Sequence, residues 1–129
     1  MNRAGIIKRV KELPFDPQSF WVVCGAAAVL YGVRDETGDL DLGCSTELAD
    51  RLEREGVACR RSDDGTRFFK IGEDLELFEN WLYDSVVSID RIPVISLAGL
   101  LTMKERLGRP KDRLDIEKIK TLLNEPKNG

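Results

Sequence analysis

The sequence predicts an α/β protein of the α+β type, in which helices flank a mixed β-sheet and two helices close the chain. A continuous apolar run at 20–24 ends at a glycine that opens a helical segment. Acids alternate with leucines at 39–44 and again at 74–78, which is the period of a strand. A chain of 129 residues has room for one domain, 1–129, with one core.

The first half of the chain is predicted to alternate helix and strand. The expected order is helix 3–13, strand 20–24, helix 25–32, strand 39–44 and helix 46–55. Pro14 should end the first helix, because proline cannot continue the hydrogen-bond ladder. Gly25 is expected at the N-cap of the second helix, and Gly56 just beyond the end of the third.

The second half is predicted to be a three-stranded meander followed by two helices. Its expected elements are strands 57–61, 66–71 and 74–78, a helix at 97–107 and a last helix that follows Asp112, with no element assigned to 79–95. An Asp-Asp-Gly turn at 63–65 joins the first two strands, and Ser96 and Asp112 are expected N-caps. The last helix is expected to turn four apolar residues toward the core: Ile116, Ile119, Leu122 and Leu123.

Composition excludes several kinds of chemistry. The chain has no histidine, which removes serine–histidine and cysteine–histidine nucleophiles, histidine zinc ligands and histidine general bases. Cys24, Cys44 and Cys59 form no C-x-x-C motif, so a zinc knuckle or a dithiol redox pair is not expected. Unpaired cysteines predict a reduced, cytoplasmic setting, and the chain is expected to have no membrane partner.

Charge is distributed unevenly behind a net value of −3. Residues 35–90 carry sixteen acidic and six basic side chains, whereas 1–34 and 91–129 are net basic. An acidic middle between basic ends suits a site where carboxylates hold a cation and nearby cations meet phosphates. A solvated surface with ordinary ion pairs explains the same distribution, and charge alone does not separate the two interpretations.

Paired carboxylates on two strands form the main candidate site. Asp39 and Asp41 are two residues apart on a strand, so their side chains leave the same face. Asp74 and Glu76 repeat this spacing, and three or four acids converge if the two strands are neighbours. Oxygen ligands of this kind favour Mg²⁺ or Mn²⁺. The alternative is a solvent-facing sheet surface whose acids only alternate with core leucines.

Two stretches resemble a known family. The segment 23–34, from Val-Cys-Gly-Ala-Ala to Val-Arg, with Thr-Gly-Asp-Leu-Asp-Leu at 37–42, resembles the first motif of minimal nucleotidyltransferases of the DNA polymerase β-like superfamily. Glu76 resembles that family's third carboxylate. Segments 100–104 and 108–116 are similar to the last conserved block of abortive-infection-type nucleotidyltransferase toxins. The resemblance covers roughly residues 20–120.

The resemblance implies roles for seven residues. It implies that Asp39, Asp41 and Glu76 are catalytic and bind Mg²⁺ or Mn²⁺. It implies that the nucleoside triphosphate is held by Gly25, Ala26, Arg34 and Lys104. Two of these residues depart from the family pattern. Ala26 lacks the usual serine hydroxyl, and Glu76 replaces the usual aspartate.

The expected reaction is transfer of a nucleoside monophosphate to a hydroxyl acceptor, with metal-dependent release of pyrophosphate. The acceptor would be a small molecule, a tRNA or a protein, and a small helical partner protein or a second copy of the chain is expected. The alternative is an inactive domain of the same fold that binds nucleotide or a partner protein, with a toxin–antitoxin pair as one setting for it.

Several charged residues keep simpler alternatives at this stage. Lys104 is equally well explained as an exposed lysine on an amphipathic helix. Arg34 would clamp a phosphate or pair with Asp39. Asp112 and Asp115 fit a cap and a favourable first-turn acid better than they fit catalysis. Trp81 would stack on a base or contact a core or dimer surface.

Overall fold

Helices and strands alternate through the first half of the chain, as the sequence predicts. The computed structural model describes residues 1–124, so the predicted domain boundary at 129 lies outside the described residues. The helices are α1 (Arg3–Lys11), α2 (Cys24–Leu30), α3 (Thr46–Arg54), α4 (Leu97–Leu107) and α5 (Arg113–Asn124). The strands are β1 (Phe20–Val23), β2 (Leu40–Cys44), β3 (Cys59–Arg61), β4 (Arg67–Ile71), β5 (Leu75–Glu79), β6 (Val86–Ile89) and β7 (Ile92–Ile95). The predicted α+β class is confirmed.

One mixed sheet joins the seven strands in the order β3-β4-β5-β2-β1-β7-β6. The β2–β5 and β1–β7 pairs are parallel, and the other neighbours are antiparallel. The β2–β5 register sets Asp41 directly beside Glu76. Because directly paired residues of neighbouring strands face the same side, both carboxylates leave the same face of the sheet.

The two faces of the sheet differ in burial. On one face the side chains are fully or nearly fully buried, among them Leu40, Leu42, Phe69, Leu75 and Leu77. Leu48 and Leu52 of α3 belong to the same core. The opposite face, which we call the open face, carries partly exposed or exposed residues at the β4–β5–β2 end: Asp41, Phe68, Lys70, Glu76 and Phe78.

The sequence prediction missed the hairpin formed by β6 and β7. Its strands contain Val86, Val87, Ile92 and other β-branched residues, which favour strands. Its turn lacks the usual glycine. Asp90 and Arg91 adopt the positive φ angles there instead, 49° and 67°. Pro93 also argues against a strand in the sequence, yet here it lies in the interior strand β7 and is the register partner of Ser88 in the edge strand β6.

The helix ends agree with the prediction at some positions and not at others. Ser96 caps α4 by accepting a hydrogen bond from the Gly99 N–H, as expected, and Gly108 ends the helix at φ 60°. The prediction that Gly25 is the N-cap of α2 is wrong. Val23 holds that position, and the chain turns at Cys24, whose φ is 56°.

The core-facing residues of α5 were only partly predicted. Ile119 is fully buried, but Leu122 and Leu123 are 37% and 42% exposed, so their assignment to the core is wrong. Both leucines lie in the last turn of α5, which ends at Asn124. In residues 1–124 no helix is long and apolar enough to span a membrane.

Trp21 covers the centre of the sheet on the open face. It pairs with Gly43 in register, and its ring occupies the space that a side chain at Gly43 would need. A Cβ at Gly43 would lie 1.9 Å from Trp21 Nε1. The same Nε1–H donates a hydrogen bond to the Trp81 carbonyl at 2.9 Å, which ties the segment after β5 to this face.

Gly43→Ala is expected to lower the free energy of unfolding by about 1–3 kcal/mol, because the methyl group displaces the Trp21 ring. Chemical denaturation measures the change. Gly38→Ala is the matched control, since nothing lies within 4 Å of a Cβ at Gly38 and its φ is not positive. Equal stability of the two variants would contradict the packing of Trp21 on Gly43.

Candidate functional site

Three carboxylates lie where β2 and β5 run side by side: Asp39, Asp41 and Glu76. We call them the acidic row. Burial, together with the charges of Glu76 and Asp39, raises the pKa of Asp41 to about 6. The charges of Arg109 and Lys111 act against this rise. Asp39 and Glu76 are therefore close enough to Asp41 to repel its charge, and two cations from the C-terminal part attract it.

Asp41 and Asp39 open into a small cleft of about 100 Å³, which we call the inner cleft. Its remaining lining residues come from the β1–α2 turn, the segment before β2 and the C-terminal helices: Cys24, Gly25, Arg34, Thr37, Lys104, Arg109, Lys111 and Asp112. Four cationic and three acidic side chains thus line one cleft. Such a mixture is suited to binding an anion together with a cation.

Lys104 is fully buried, at 1% exposure, and is not the exposed helical lysine of the alternative interpretation. Its Nζ lies 3.2 Å from Asp112 Oδ1 and 3.2 Å from Asp115 Oδ2. Asp112 also accepts hydrogen bonds from Arg109, at 2.6 and 3.0 Å. We call Lys104, Arg109, Asp112 and Asp115 the buried charge cluster. A buried ammonium needs such partners, because leaving it unpaired would be costly.

Asp112 and Asp115 form ion pairs in this structure in addition to any local role. Asp115 lies in the first turn of α5, as expected, whereas the N-cap role of Asp112 stays a prediction. Burial by itself would raise the pKa of Asp112, but hydrogen bonds from Arg109 and Lys104 outweigh it and hold that pKa below its ordinary value. Asp115 Oδ2 also lies 3.2 Å from Arg34 Nη2, although it accepts no aligned hydrogen bond within residues 1–124. Arg34 therefore pairs with Asp115 and not with Asp39.

Glycine at position 25 is required by close packing. A Cβ there would lie 2.7 Å from Thr37 Oγ1 and 3.0 Å from Arg34 Nη1. The segment before β2 therefore rests directly on the start of α2. This contact brings Arg34, Thr37 and Asp39 to the mouth of the inner cleft.

Five of the seven predicted site residues line the inner cleft, and two do not. Gly25, Arg34, Asp39, Asp41 and Lys104 all line the inner cleft. Ala26 is buried at 1% exposure and is not among the residues that line the inner cleft, so its expected contact with the triphosphate stays a prediction. Glu76 lies beside Asp41 but lines an adjacent groove of the open face instead of the inner cleft.

Some site residues were missed or misplaced by the sequence reasoning. Arg109 and Lys111 face Asp41, and the only signal for them was their position on either side of Pro110 at a helix corner. Asp74 does not join the acidic row, because Arg9 of α1 binds its carboxylate at 2.5 and 2.6 Å. Cys24 lines the cleft as a neutral thiol, since burial and the charge of Asp41 raise its pKa to about 12.

The carboxylates suit a hard divalent cation by chemistry, but they do not form a complete protein cage. Within residues 1–124 no group of three or more His, Cys, Asp or Glu side chains is arranged to hold a metal ion. Mg²⁺ is usually bound by one or two carboxylates together with water and substrate phosphates. Asp39 and Asp41 fit that partial ligand set, and the role of Glu76 as a third ligand stays a prediction.

Comparison with solved structures gives one match. The structure is similar to the crystal structure of a Thermotoga maritima protein that is provisionally assigned as a nucleotidyltransferase, with a TM-score of 0.52 and 22% sequence identity. The match covers 95% of this chain and 91% of that chain. The fold is nucleotidyltransferase-like. At this identity the likeness establishes the fold alone. No protein-family model matches the sequence, and no curated protein matches it.

The raised pKa of Asp41 predicts a pH-dependent stability. The folded chain holds the Asp41 proton to about pH 6, whereas the ordinary value is 3.8. Between these values the folded state binds more protons, so the free energy of unfolding should fall as pH rises through this window. Asp41→Asn should therefore stabilise the metal-free protein at pH above 6 by about 1–3 kcal/mol. Urea denaturation across this pH range measures it.

Asp63→Asn is the control for this measurement, because Asp63 is exposed in the turn between β3 and β4. It should leave the pH dependence between about 4 and 6 as in the wild type. The interpretation fails if Asp41→Asn and Asp63→Asn have the same stability profile.

Removing the ammonium group of Lys104 tests the buried charge cluster. Lys104→Met should lower the free energy of unfolding by about 3–5 kcal/mol, because it leaves the Asp112 and Asp115 carboxylates buried with fewer partners. Lys120→Met is the control, since Lys120 is exposed and lies 3.9 Å from Glu105. Similar losses in thermal or urea denaturation of both variants would contradict a special role for Lys104.

Proposed function

We propose that the protein transfers a nucleoside monophosphate from a nucleoside triphosphate to a hydroxyl acceptor and releases pyrophosphate. The observation that supports this most directly is the inner cleft, where Asp39 and Asp41 share about 100 Å³ with Arg34, Arg109 and Lys111. Carboxylates for a divalent cation and side-chain cations for a polyphosphate are the two needs of this reaction. The nucleotidyltransferase-like fold supports the same proposal.

The reaction needs little covalent participation by the protein. The acceptor oxygen forms a bond to the α-phosphorus, and the bond from that phosphorus to the oxygen bridging to the β-phosphate breaks. The proton of the acceptor hydroxyl goes to a carboxylate, for which Glu76 is our candidate base. Mg²⁺ or Mn²⁺ held by Asp39 and Asp41 would neutralise phosphate charge. No step requires histidine or a thiolate.

The cationic residues divide into two groups. Arg34 is about one-third exposed and Arg109 slightly more, so these side chains are available to phosphate oxygens despite their bonds to Asp115 and Asp112. Lys104 is enclosed, and it acts on the site chiefly by holding the buried charge cluster in place. The inner cleft is too small for a whole nucleotide, so the phosphates would enter it and the nucleoside would lie outside.

A non-catalytic module of the same fold is the second candidate. The buried methyl group of Ala26 and the paired state of Lys104 favour it, because both reduce the groups available to a triphosphate. Membership of the DNA polymerase β-like superfamily, similarity to abortive-infection toxins, a toxin–antitoxin pairing and a cytoplasmic location stay predictions from the sequence.

A label-transfer assay separates the two candidates. The protein is incubated with each labelled nucleoside triphosphate, with Mg²⁺ or Mn²⁺ and with a cell extract that supplies acceptors. Wild-type protein should move label onto an acceptor, and Asp41→Asn should reduce the rate by about 10²–10³-fold, because an electrostatic contribution to the transition state is lost.

Asp63→Asn is again the matched control and should transfer label at the wild-type rate, since its carboxylate lies away from the cleft. Nucleotide binding is measured in parallel by equilibrium dialysis. If all three proteins bind nucleotide and none transfers label with any acceptor, the enzyme proposal is wrong and the binding module is favoured.

A further inference from the structure

A second and larger depression adjoins the acidic row on the open face. We call it the outer groove; it has a volume of about 530 Å³ and is lined in part by Arg60, Phe68, Lys70 and Glu76. This volume lies within the usual range of ligand pockets, unlike that of the inner cleft. Nothing in the nucleotidyl-transfer proposal so far uses Arg60, Phe68 or Lys70.

Aromatic rings form a continuous surface along this part of the face. Phe68 and Phe78 stack with ring centroids 6.0 Å apart and an interplanar angle of 17°. Trp81 meets the Phe78 ring edge-on at 4.9 Å, and Phe68, Phe78 and Trp81 line one further depression beside the outer groove. Partly exposed aromatic faces of this kind accept planar groups such as nucleobases by stacking.

Two cations, Arg60 and Lys70, accompany these rings. The Arg60 guanidinium lies 5.9 Å from the centre of the Phe68 ring. In the described part of the chain, neither Arg60 nor Lys70 forms an ion pair. By contrast, the neighbouring Arg61 and Arg67 are paired with Glu53 at 2.7 Å and with Glu79 at 2.7 Å. The groove therefore offers two free positive charges within the acidic middle of the sequence.

The strand register connects this surface to the candidate reaction centre. In the strand register Lys70 lies opposite Glu76, and Glu76 lies beside Asp41. These three residues therefore form one line across β4, β5 and β2. Phe68 and Phe78 form the next row on the same face, two residues along each strand. Two residues of a strand span about 7 Å, so the rings lie one short step from the carboxylates.

We propose that the outer groove binds the end of a single-stranded nucleic acid and presents its terminal hydroxyl to Asp41 and Glu76 as the acceptor. This inference rests on the proposed nucleotidyl transfer, since it names the acceptor class of that reaction. Bases stack on Phe68 and the adjoining rings, and Arg60 and Lys70 contact backbone phosphates. RNA and DNA share this chemistry.

The charge pattern favours the terminus of the strand over its interior. The acidic row repels phosphates, whereas a terminal hydroxyl is uncharged and donates a hydrogen bond to a carboxylate. The net charge of −3 gives no general attraction for nucleic acid, so binding must depend on the rings and the two local cations. A double helix would keep its bases stacked on each other and unavailable to Phe68.

Fluorescence anisotropy tests the groove without any transfer step. Labelled single-stranded RNA and DNA of about 12 nucleotides are titrated with protein in the absence of nucleoside triphosphate, across about 50–200 mM salt. The Arg60→Gln/Lys70→Gln variant should flatten the plot of log K against log salt concentration by about 1.4, at about 0.7 per lost phosphate contact. Phe68→Ala should weaken binding by about tenfold.

Arg61→Gln is the matched control, because Arg61 follows Arg60 on the same strand, leaves the opposite face and pairs with Glu53. It should keep the wild-type affinity. Phe68→Leu provides a second variant with less risk to folding, and its thermal melt is compared with that of the wild type. The arms with RNA, DNA and a duplex of the same sequence identify the preferred form.

The inference is overturned if no single strand binds saturably, if the duplex binds equally well, or if Arg60→Gln/Lys70→Gln and Arg61→Gln bind alike. It is also overturned if the wild type is a dimer that Phe68→Ala dissociates, because the groove is then an interface between copies. Failure of nucleotidyl transfer is distinguishable from these outcomes, since it appears in the label-transfer assay and leaves the anisotropy titration unchanged.

Discussion

Repulsion between carboxylates at the β2–β5 pairing is the constraint around which the site is arranged. The parallel register fixes Asp41 beside Glu76, and burial together with the charge of Asp39 adds to the cost of ionising Asp41. A protein that keeps such a row needs positive charge nearby. Arg109 and Lys111 supply part of it from the corner between the last two helices.

The C-terminal helices therefore contribute charge as well as core. Lys104 joins α4 to the acids at the start of α5, and those acids in turn position Arg109 and Arg34 at the inner cleft. This arrangement explains the uneven charge along the sequence. The basic C-terminal part packs against the acidic middle of the chain at the inner cleft, where the carboxylates of that middle part lie.

The prediction from sequence succeeded where the pattern within a single helix or strand determines the local structure. Alternation placed Asp41 and Glu76 on strands, and Ser96 and Gly108 marked the ends of α4. The β6–β7 hairpin escaped because Asp90 and Arg91 make a turn that usually takes glycine. The ion-pair partners of Lys104 and Asp74 were not predicted for a different reason. They depend on how elements distant in the sequence pack together, which no local spacing encodes.

The packing of Trp21 against Gly43 gives the molecule an optical property. The chain has two tryptophans, and the indole N–H of Trp21 binds the carbonyl of Trp81, so both belong to the open face and neither lines the inner cleft. Intrinsic fluorescence of the unmodified protein is consequently a local signal. It responds to whatever lies on the aromatic rings of the open face.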